Sequence, residues 1–232
     1  MSLTIQEAVQ QLEGENLEQV EQKTLSIINL VKEGGLGGQI IIGILVLLLA
    51  VALYIYFERL LAIKSASKVD ENFMNQIKDH VSEGKMEAAT LLCAQDKSPV
   101  SALIAKGISR IGKPLEDIHT AIENAGRLEI YKLEKNVSVL ATISGVAPMI
   151  GFLGTVIGMI ISIFEIANSG GNIDIKTLAG GLYTAMTTTV AGLVVGIVAY
   201  MAYNHIVVKT DKIIYKMEAN SLEFFDLLNE PA

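Results

Sequence analysis

Three long apolar runs dominate the chain, and charged residues recur in the stretches that separate them. The runs contain no Asp, Glu, Lys or Arg and extend over residues 34–57, 136–164 and 177–208. Each is longer than the roughly 20 residues that a helix needs to cross the hydrocarbon core of a bilayer. The second and third runs exceed that length clearly, so their helices should tilt or project into water. The pattern predicts an all-α integral membrane protein with three transmembrane helices.

These runs divide the chain into segments. We expect transmembrane helices over 34–57, 137–167 and 177–208, a helical domain over 58–136, a short loop over 168–176, a C-terminal helix over 209–232 and an amphipathic helix over 1–33. The N-terminal segment contains Thr4 and Glu7 at capping-box spacing. Its apolar face would lie on the outer membrane surface, or the helix would be solvated and lead into the first span; the pattern allows both.

Positive charge near the span ends indicates the orientation. One side has nine basic residues near the spans: Arg59, Lys64, Lys68, Arg127, Lys132, Lys135, Lys209, Lys212 and Lys216. The other side has three: Lys23, Lys32 and Lys176. Cytoplasmic loops carry the excess of Lys and Arg. We therefore expect a periplasmic N-terminus and a cytoplasmic C-terminus.

Proline and glycine punctuate the cytoplasmic segment. Gly84 should end one helix, Pro99 should begin another, and Pro114 fits the first turn of a third. No further breaker precedes Gly145, so this third helix should continue unbroken into the second span. An apolar stripe predicts that the last helix extends beyond the third span, through Ile206, Ile213, Met217, Phe224 and Leu228. Such striped helices suit packing in a ring of subunits, and equally packing within one subunit.

The amino-acid composition argues against several classes of function. The net charge is −7, and acidic and basic residues balance in 58–136, so a nucleic-acid partner is unsupported. Cys93 is the only cysteine, and we expect a small buried thiol rather than a disulfide or a metal ligand. The three histidines are isolated, so neither a metal site nor another cofactor is predicted. The pattern contains no nucleophile–base pair or phosphate loop, and an enzyme is not expected.

The second and third runs are rich in small and hydroxyl residues. Their spacing by three and four places them on helix faces: Gly151, Gly154 and Gly158, with Thr155 beside them, and then Thr184, Thr188, Gly192 and Gly196, with Thr189 on the neighbouring stripe. Small residues let membrane helices approach closely, and threonine often bonds back to its own helix. The same residues could instead line a conduit or a bore that binds a partner. Both interpretations stay open from the residues alone.

The span centres contain no ionisable group. Proton relays normally need such a group at membrane depth, and hydroxyls do not titrate near neutral pH. Glu165 is the only carboxylate within an apolar stretch, but it lies near the outer end. It suits the periplasmic entrance better than the centre of a proton path. If protons move here, another polypeptide should supply the carboxylate.

The motif GFLGTVIGM, followed after a short loop by TAMTTTVAGLVVGI, resembles the ExbB/TolQ/MotA family of proton-channel subunits. The segment GKMEAATLLCAQDKSPVSALIAKGI is similar to the corresponding segment of ExbB and TolQ. The resemblance covers the chain from the first span onward. MotA fits less well, because it has four spans and a larger cytoplasmic domain.

The resemblance implies a pentameric ring of this subunit in the lipid of the bacterial inner membrane. Its bore would hold a dimer of single-span, ExbD-like helices, on which an aspartate carries the proton. Proton flow would energise a TonB-like protein that drives outer-membrane import. The resemblance assigns bore-lining roles to Thr155 and Thr189, and we extend them to Thr184 and Thr188. The family often has a glutamate in the third span where this chain has Thr184, which leaves the partner aspartate as the main proton carrier.

Two rival functions remain. A TolQ-like subunit would use the same motor in envelope constriction at division, and the span motifs do not separate it from an ExbB-like one. A passive membrane scaffold with a glycine-packed core would need no partner carboxylate. Proton flux in liposomes with and without the partner would distinguish the scaffold from the motor.

Overall fold

The computed structural model describes residues 35–68, 72–168 and 175–229. Helices and short turns account for these ranges. The helices are α1 (Gly35–Ala66), α2 (Phe73–Ser82), α3 (Met86–Gln95), α4 (Pro99–Ile108), α5 (Leu115–Leu133), α6 (Val137–Asn168) and α7 (Ile175–Asn229). The expected N-terminal helix over 1–33, and most of the loop over 168–176, lie outside the described residues.

Three of the helices are long and apolar. Helices α1 and α6 have 32 residues each, and α7 has 55. By length and composition, all three are able to cross a membrane. Many of their large apolar side chains are exposed on the single chain, among them Tyr54, Phe152 and Met186. Such surfaces need lipid or another chain to cover them. The predicted all-α fold with three membrane helices is confirmed.

The helix expected to run unbroken from Pro114 into the second span is two helices. Helix α5 ends at Leu133, and α6 begins at Val137. Between them Asn136 has φ of 62°, in the left-handed region that stops a helix and that asparagine tolerates better than most residues. Arg59 of α1 donates from Nη1 to the Lys132 carbonyl at 2.9 Å, which satisfies one of the free carbonyls at the end of α5. The prediction of one unbroken helix is therefore wrong.

The described residues fall into two compact units. The first comprises the described parts of 1–44 and 150–191, and contains portions of the three long helices. The second comprises 45–149 and the described part of 192–232, and contains α2 to α5 with the remaining portions of the long helices. In the second unit α2 to α5 pack consecutively, each on the next.

The core of the second unit forms where the end of α7 meets α4 and α5. Phe224 is fully buried there, and it lies against Gly107 of α4. A Cβ atom at Gly107 would stand 2.6 Å from Cε1 of Phe224 and 2.8 Å from Cδ1 of Ile122. Gly107 is thus required by close packing.

The start of α4 follows the predicted proline signal. Pro99 occupies the first turn, and Ser98 precedes it as N-cap. The Ser98 hydroxyl accepts a hydrogen bond from the Ser101 amide at 3.1 Å, which satisfies one free donor of the helix end. Asp96 holds that hydroxyl in place, since its carboxylate accepts the Ser98 proton at 2.8 Å.

The apolar stripe of α7 is confirmed as a buried face. Ile206, Ile213, Met217 and Phe224 are each at most 4% exposed. Their burial occurs within one chain, so packing inside the subunit accounts for this stripe. The stripe therefore does not by itself indicate a contact between subunits.

Cys93 is a buried thiol of α3, as the sequence predicts. Burial away from water raises the pKa of its thiol to about 11, and the nearby Asp96 carboxylate adds to the effect. Both causes disfavour the thiolate. At neutral pH the group is therefore protonated and unreactive.

We expect Gly107→Ala to destabilise the protein by about 1–3 kcal/mol, because the new methyl group overpacks the contact with Phe224. Helix propensity alone predicts the opposite sign, a gain of up to about 1 kcal/mol. Thermal unfolding in mild detergent would measure the change. Gly145→Ala is the matched control, since nothing lies within 4 Å of a Cβ at that helical glycine. Equal melting temperatures for the two variants would contradict the packing argument.

We expect a thiol-alkylating reagent to label Cys93 very slowly in the folded protein at pH 7.5, and quickly once the chain is unfolded. Burial both blocks access and keeps the thiol protonated, whereas unfolding returns the pKa to its ordinary range. Mass spectrometry of the time course would measure both rates. Rapid labelling of the native protein at neutral pH would show that α3 opens readily.

Candidate functional site

The candidate site lies where α6 and α7 pack together in the first unit. Gly151, Gly154 and Gly158 of α6 are buried. Their facing partners on α7 include Ala185, which is 1% exposed, and Thr188, which is fully buried. The glycines predicted to serve helix packing thus form one side of a close contact between two apolar helices.

Gly154 and Thr188 make the tightest part of this contact. A Cβ at Gly154 would stand 2.5 Å from the Thr188 hydroxyl oxygen and 2.7 Å from its Cβ. The hydroxyl itself donates to the Ala185 carbonyl of its own helix at 2.8 Å. The Thr188 side chain therefore occupies the space that a side chain at position 154 would need. Its hydroxyl proton is used in a hydrogen bond within α7.

The same contact continues toward the ends of both helices. A Cβ at Gly158 would lie 3.1 Å from Cβ of Ala185. Further along, a Cβ at Gly181 would collide with the Ser162 hydroxyl, which donates to the Gly158 carbonyl at 2.9 Å. Sequence reasoning missed Gly181 and Ser162. The spacing of Gly181, Ala185 and Thr188 by four and three residues is the signal that could have found the first of them.

Thr184 faces α1. Its hydroxyl donates to the Gly180 carbonyl at 2.9 Å, and a Cβ at Gly38 would stand 2.6 Å from its methyl group. Only 7% of Thr184 is exposed. The close approach of α1 to α7 thus depends on a glycine opposite a threonine, as does the approach of α6.

Thr155 and Thr189 form a hydroxyl pair that links α6 to α7. Their Oγ1 atoms are directly hydrogen-bonded to each other. Thr155 also contacts the Ala185 carbonyl of the opposite helix at 3.0 Å. Thr189 donates to the Gly151 carbonyl of the opposite helix at 3.2 Å. Both side chains are half-buried.

This pair has more acceptors than protons. Each hydroxyl brings one proton and two lone pairs, and each carbonyl brings two further lone pairs. The Thr155 proton is engaged in a hydrogen bond either to the Thr189 hydroxyl or to the Ala185 carbonyl. The Thr189 proton is engaged in a hydrogen bond to the Gly151 carbonyl. Lone pairs remain free on the hydroxyl oxygens. The pair can therefore accept a hydrogen bond from a donor group that reaches it, or coordinate a small cation.

Exposed apolar side chains surround the pair. Met186 and Val190 on α7 are 68% and 60% exposed, and Phe152 on α6 is 63% exposed. Thr155 and Thr189 therefore lie at the edge of the α6–α7 contact and are partly exposed, whereas Thr184 and Thr188 are buried inside it. Of the four threonines named from sequence, the structure brings only Thr155 and Thr189 together.

The remaining residues named from sequence are placed as follows. In the second unit, Gly196 of α7 faces the ring of Pro148, and a Cβ atom at Gly196 would stand 2.6 Å from Cγ of the proline. Gly192, also on α7, is buried. Pro148 does not end α6. Glu165 is exposed and stands three residues before the helix ends at Asn168.

Comparison with known proteins assigns the family. The sequence model of the MotA/TolQ/ExbB proton channel family matches residues 95–219, which include the Thr155–Thr189 pair. The chain belongs to this family. It is a membrane protein of a group that forms transport motors rather than a known class of enzyme.

Curated relatives of this family member carry the name ExbB. A biopolymer transport protein ExbB homolog of Methanothermobacter thermautotrophicus is 30% identical over 74% of this chain. The biopolymer transport protein ExbB of Helicobacter pylori is 40% identical over 34% of this chain, and that of Aquifex aeolicus is 33% identical over 50%. The matches span 62%, 54% and 77% of the three relatives, so the first two are covered over less than two thirds of their length.

We expect Gly154→Ala to destabilise the α6–α7 contact, whereas Gly180→Ala in the same unit should have little effect. The methyl group at Gly154 meets Thr188, but nothing lies within 4 Å of a Cβ at Gly180. The predicted cost is about 1–3 kcal/mol, measured by thermal unfolding in mild detergent. The double change Gly154→Ala with Thr188→Gly moves the small residue to the opposite helix and should restore part of the loss. No recovery in the double variant would argue against this contact.

Proposed function

We propose that this chain is an ExbB-like subunit of a motor driven by the proton-motive force in the bacterial inner membrane. It acts with an ExbD-like single-span partner and energises a TonB-like protein for outer-membrane transport. Membership of the proton channel family and the ExbB names of its relatives support this role. The acceptor-rich Thr155–Thr189 pair is the observation that carries the mechanism.

The pair favours one protonation state of a partner carboxyl group. A protonated carboxyl has an O–H to donate, and the free lone pairs of Thr155 and Thr189 can accept it. A carboxylate has no proton, and the threonine protons are already engaged with backbone carbonyls or with each other. Loss of the proton from a partner aspartate would therefore weaken its contact with this wall. Such a difference in binding between two states is what a motor needs to couple proton movement to displacement.

The four threonines take two roles in this proposal. Thr155 and Thr189 face the bore of a pentameric ring, where they meet the partner helix. Thr184 and Thr188 stand behind them and hold the wall together against Gly38 and Gly154. The N-terminus lies in the periplasm and the C-terminus in the cytoplasm, so Glu165 stands at the periplasmic entrance.

The ExbB role is preferred to the TolQ role because the relatives described above are named ExbB. The family description covers both. The partner that copurifies with the chain would separate them. A scaffold function remains the outcome if no partner carboxyl group is found.

We expect Thr155→Val and Thr189→Val each to lower energised uptake by a factor of at least about ten, with the ring intact. Valine keeps the shape of threonine but removes the lone pairs, and leaving a buried donor without its acceptor costs about 1–3 kcal/mol. Uptake of a TonB-dependent substrate in cells would measure the effect. Thr155→Ser should retain most of the activity, since it keeps the hydroxyl.

Thr187→Val is the matched control. The Thr187 hydroxyl donates to the Tyr183 carbonyl of its own helix at 2.9 Å and takes no part in the pair. Uptake should stay near normal in this variant. Near-normal uptake in both Thr155→Val and Thr189→Val would refute the assigned role.

Purification of the chain from its native membrane tests the assembly directly. Native mass spectrometry in mild detergent should give a ring of this subunit with a small single-span protein that carries an intramembrane Asp. A ring with nothing inside would refute the motor, because the apolar runs of this chain contain no ionisable group at their centres.

A further inference from the structure

Arg59 of α1 is the one charged residue that is buried in the part of the chain that the structure describes, with 6% of its surface exposed. Its Nη1 donates to the Lys132 carbonyl at 2.9 Å, and its Nη2 bonds to the Glu58 carboxylate. The third donor atom, Nε, is buried and has no hydrogen-bond partner among the described residues. A buried donor is costly to leave unpaired, so this atom points to a partner outside the chain.

A second unpaired polar atom lies on α7. Thr210 is 3% exposed, and its Oγ1 is buried without a hydrogen-bond partner among the described residues. Other helical threonines behave differently, because Thr90, Thr120 and Thr142 each donate to the carbonyl four residues earlier in their own helix. The Thr210 hydroxyl is turned away from that usual acceptor.

Helix α7 runs antiparallel to both α5 and α6 in the second unit. On the α6 side, a Cβ at Gly196 would stand 3.0 Å from the Ser144 carbonyl oxygen. On the α5 side, the His119 ring stacks on Phe225 with centroids 5.2 Å apart. These two contacts lie on either side of the α5–α6 break, and they fix the register of α7 between them.

The register places Thr210 at the end of α5. Thr210 lies fourteen residues after Gly196 and fifteen residues before Phe225. Equal steps along the facing helices, taken from each contact, end within residues 130–134, the last turn of α5. Helices that pack side by side advance equally along their axes, so the Thr210 side chain stands at the level of this turn.

The Arg59 guanidinium lies at the same level, since its Nη1 is bonded to the Lys132 carbonyl in that turn. Helix α1 also lies beside α7 here. About one turn earlier on each helix, the Tyr56 hydroxyl and Nδ1 of His205 are 2.8 Å apart. The two unpaired atoms, Nε of Arg59 and Oγ1 of Thr210, are therefore buried together where α1, α5 and α7 meet.

We propose that Arg59 and Thr210 bind one buried water molecule at the break between α5 and α6. Arg59 Nε–H and the Thr210 hydroxyl are both donors, and the two lone pairs of a water oxygen accept from both. The two water protons then donate to carbonyls at the end of α5, because a helix leaves its last carbonyls without intrahelical partners. Three or four polar partners are usual for an internal water molecule.

Water fits this site better than an anion does. An anion could accept from the same two donors, but the Glu58 carboxylate already balances the guanidinium charge. The carbonyls at the end of α5 also carry partial negative charge, which repels an anion. A neutral molecule that both accepts and donates satisfies all of these groups.

The water molecule joins three helices at a point where the backbone is interrupted. Asn136 has φ of 62°, so the hydrogen-bond ladder of α5 does not continue into α6. Arg59 and the water together bind the free end of α5 to α1 and α7. This inference concerns the second unit alone and does not depend on the proposed function.

Proton-detected solid-state NMR of the full chain in lipid bilayers, labelled with ¹⁵N-arginine, tests the site. The chain has three arginines, and Arg110 and Arg127 are exposed. Loss of one Nε–H signal in Arg59→Lys identifies the buried group. We expect a cross-peak between this Nε–H and water, and slow exchange of its proton in D₂O.

Variants of Thr210 show whether the water is held by its hydroxyl. Thr210→Val should lower the cross-peak several-fold, because the methyl group cannot bond the water and takes its space. Thr210→Ser should retain the cross-peak. Thr120→Val is the matched control, since that hydroxyl is exposed and donates within α5 at 2.9 Å, and it should leave the Arg59 signal unchanged.

A double-mutant cycle gives a second readout through melting temperatures in mild detergent. Thr210→Val should lower the melting temperature by several degrees, although valine has the shape of threonine and is more apolar, because Nε–H loses its acceptor. Arg59→Lys keeps the charge but removes Nε–H. In that background, Thr210→Val should lower the melting temperature less than half as much, since residues that share a partner are not additive.

Three results would overturn the inference. The first is the absence of a water cross-peak in the unaltered chain, which needs no variant to fold. The second is a shift of the Arg59 Nε signal when chloride is replaced by gluconate, which would show a bound anion. The third is strict additivity of the Arg59→Lys and Thr210→Val changes, which would show that the two residues share no partner.

Discussion

Close approach of backbones in lipid is the constraint on which this structure depends. Apolar side chains gain little from meeting each other inside a bilayer, because lipid tails are as apolar as they are. Association then relies on dense packing and on hydrogen bonds between helices. Gly154 against Thr188 and Gly38 against Thr184 supply the packing, and the Thr155–Thr189 pair supplies the bonds. Without Gly154, α7 could not come close enough to α6 for the two hydroxyls to meet.

The arrangement of three membrane helices could be predicted from the apolar runs. Which threonines are buried and which are partly exposed could not. Thr188 and Thr189 are neighbours in sequence and point about 100° apart on a helix. Periodicity identifies both as members of a small-residue face, yet the direction of α6 decides which one is buried. The break at Asn136 was missed for a related reason, since asparagine permits the left-handed conformation without requiring it. Gly181 and Ser162 were missed because neither residue is unusual in the sequence by itself, and only the structure shows that the two are in contact.

The third span differs from the pattern that the resemblance implies at Thr184. There the family often has a glutamate, whereas this chain has a short side chain packed against Gly38 and bonded to its own helix. A carboxylate in that position would need charge compensation or a protonated state, because burial disfavours its ionised form. With threonine, this position of α7 carries no ionisable group and stays neutral.

The Ala185 carbonyl accepts two hydroxyls, from Thr188 at 2.8 Å and from Thr155 at 3.0 Å. When Thr155 donates instead to Thr189, Thr188 still satisfies this carbonyl, so no buried backbone group loses its hydrogen bond. The exchange then needs only a side-chain rotation, which takes picoseconds to nanoseconds when a residue is free to turn, against microseconds to milliseconds for helix movements. The Thr155 hydroxyl can therefore exchange hydrogen-bond acceptors many times during one helix movement, while the Ala185 carbonyl stays satisfied throughout.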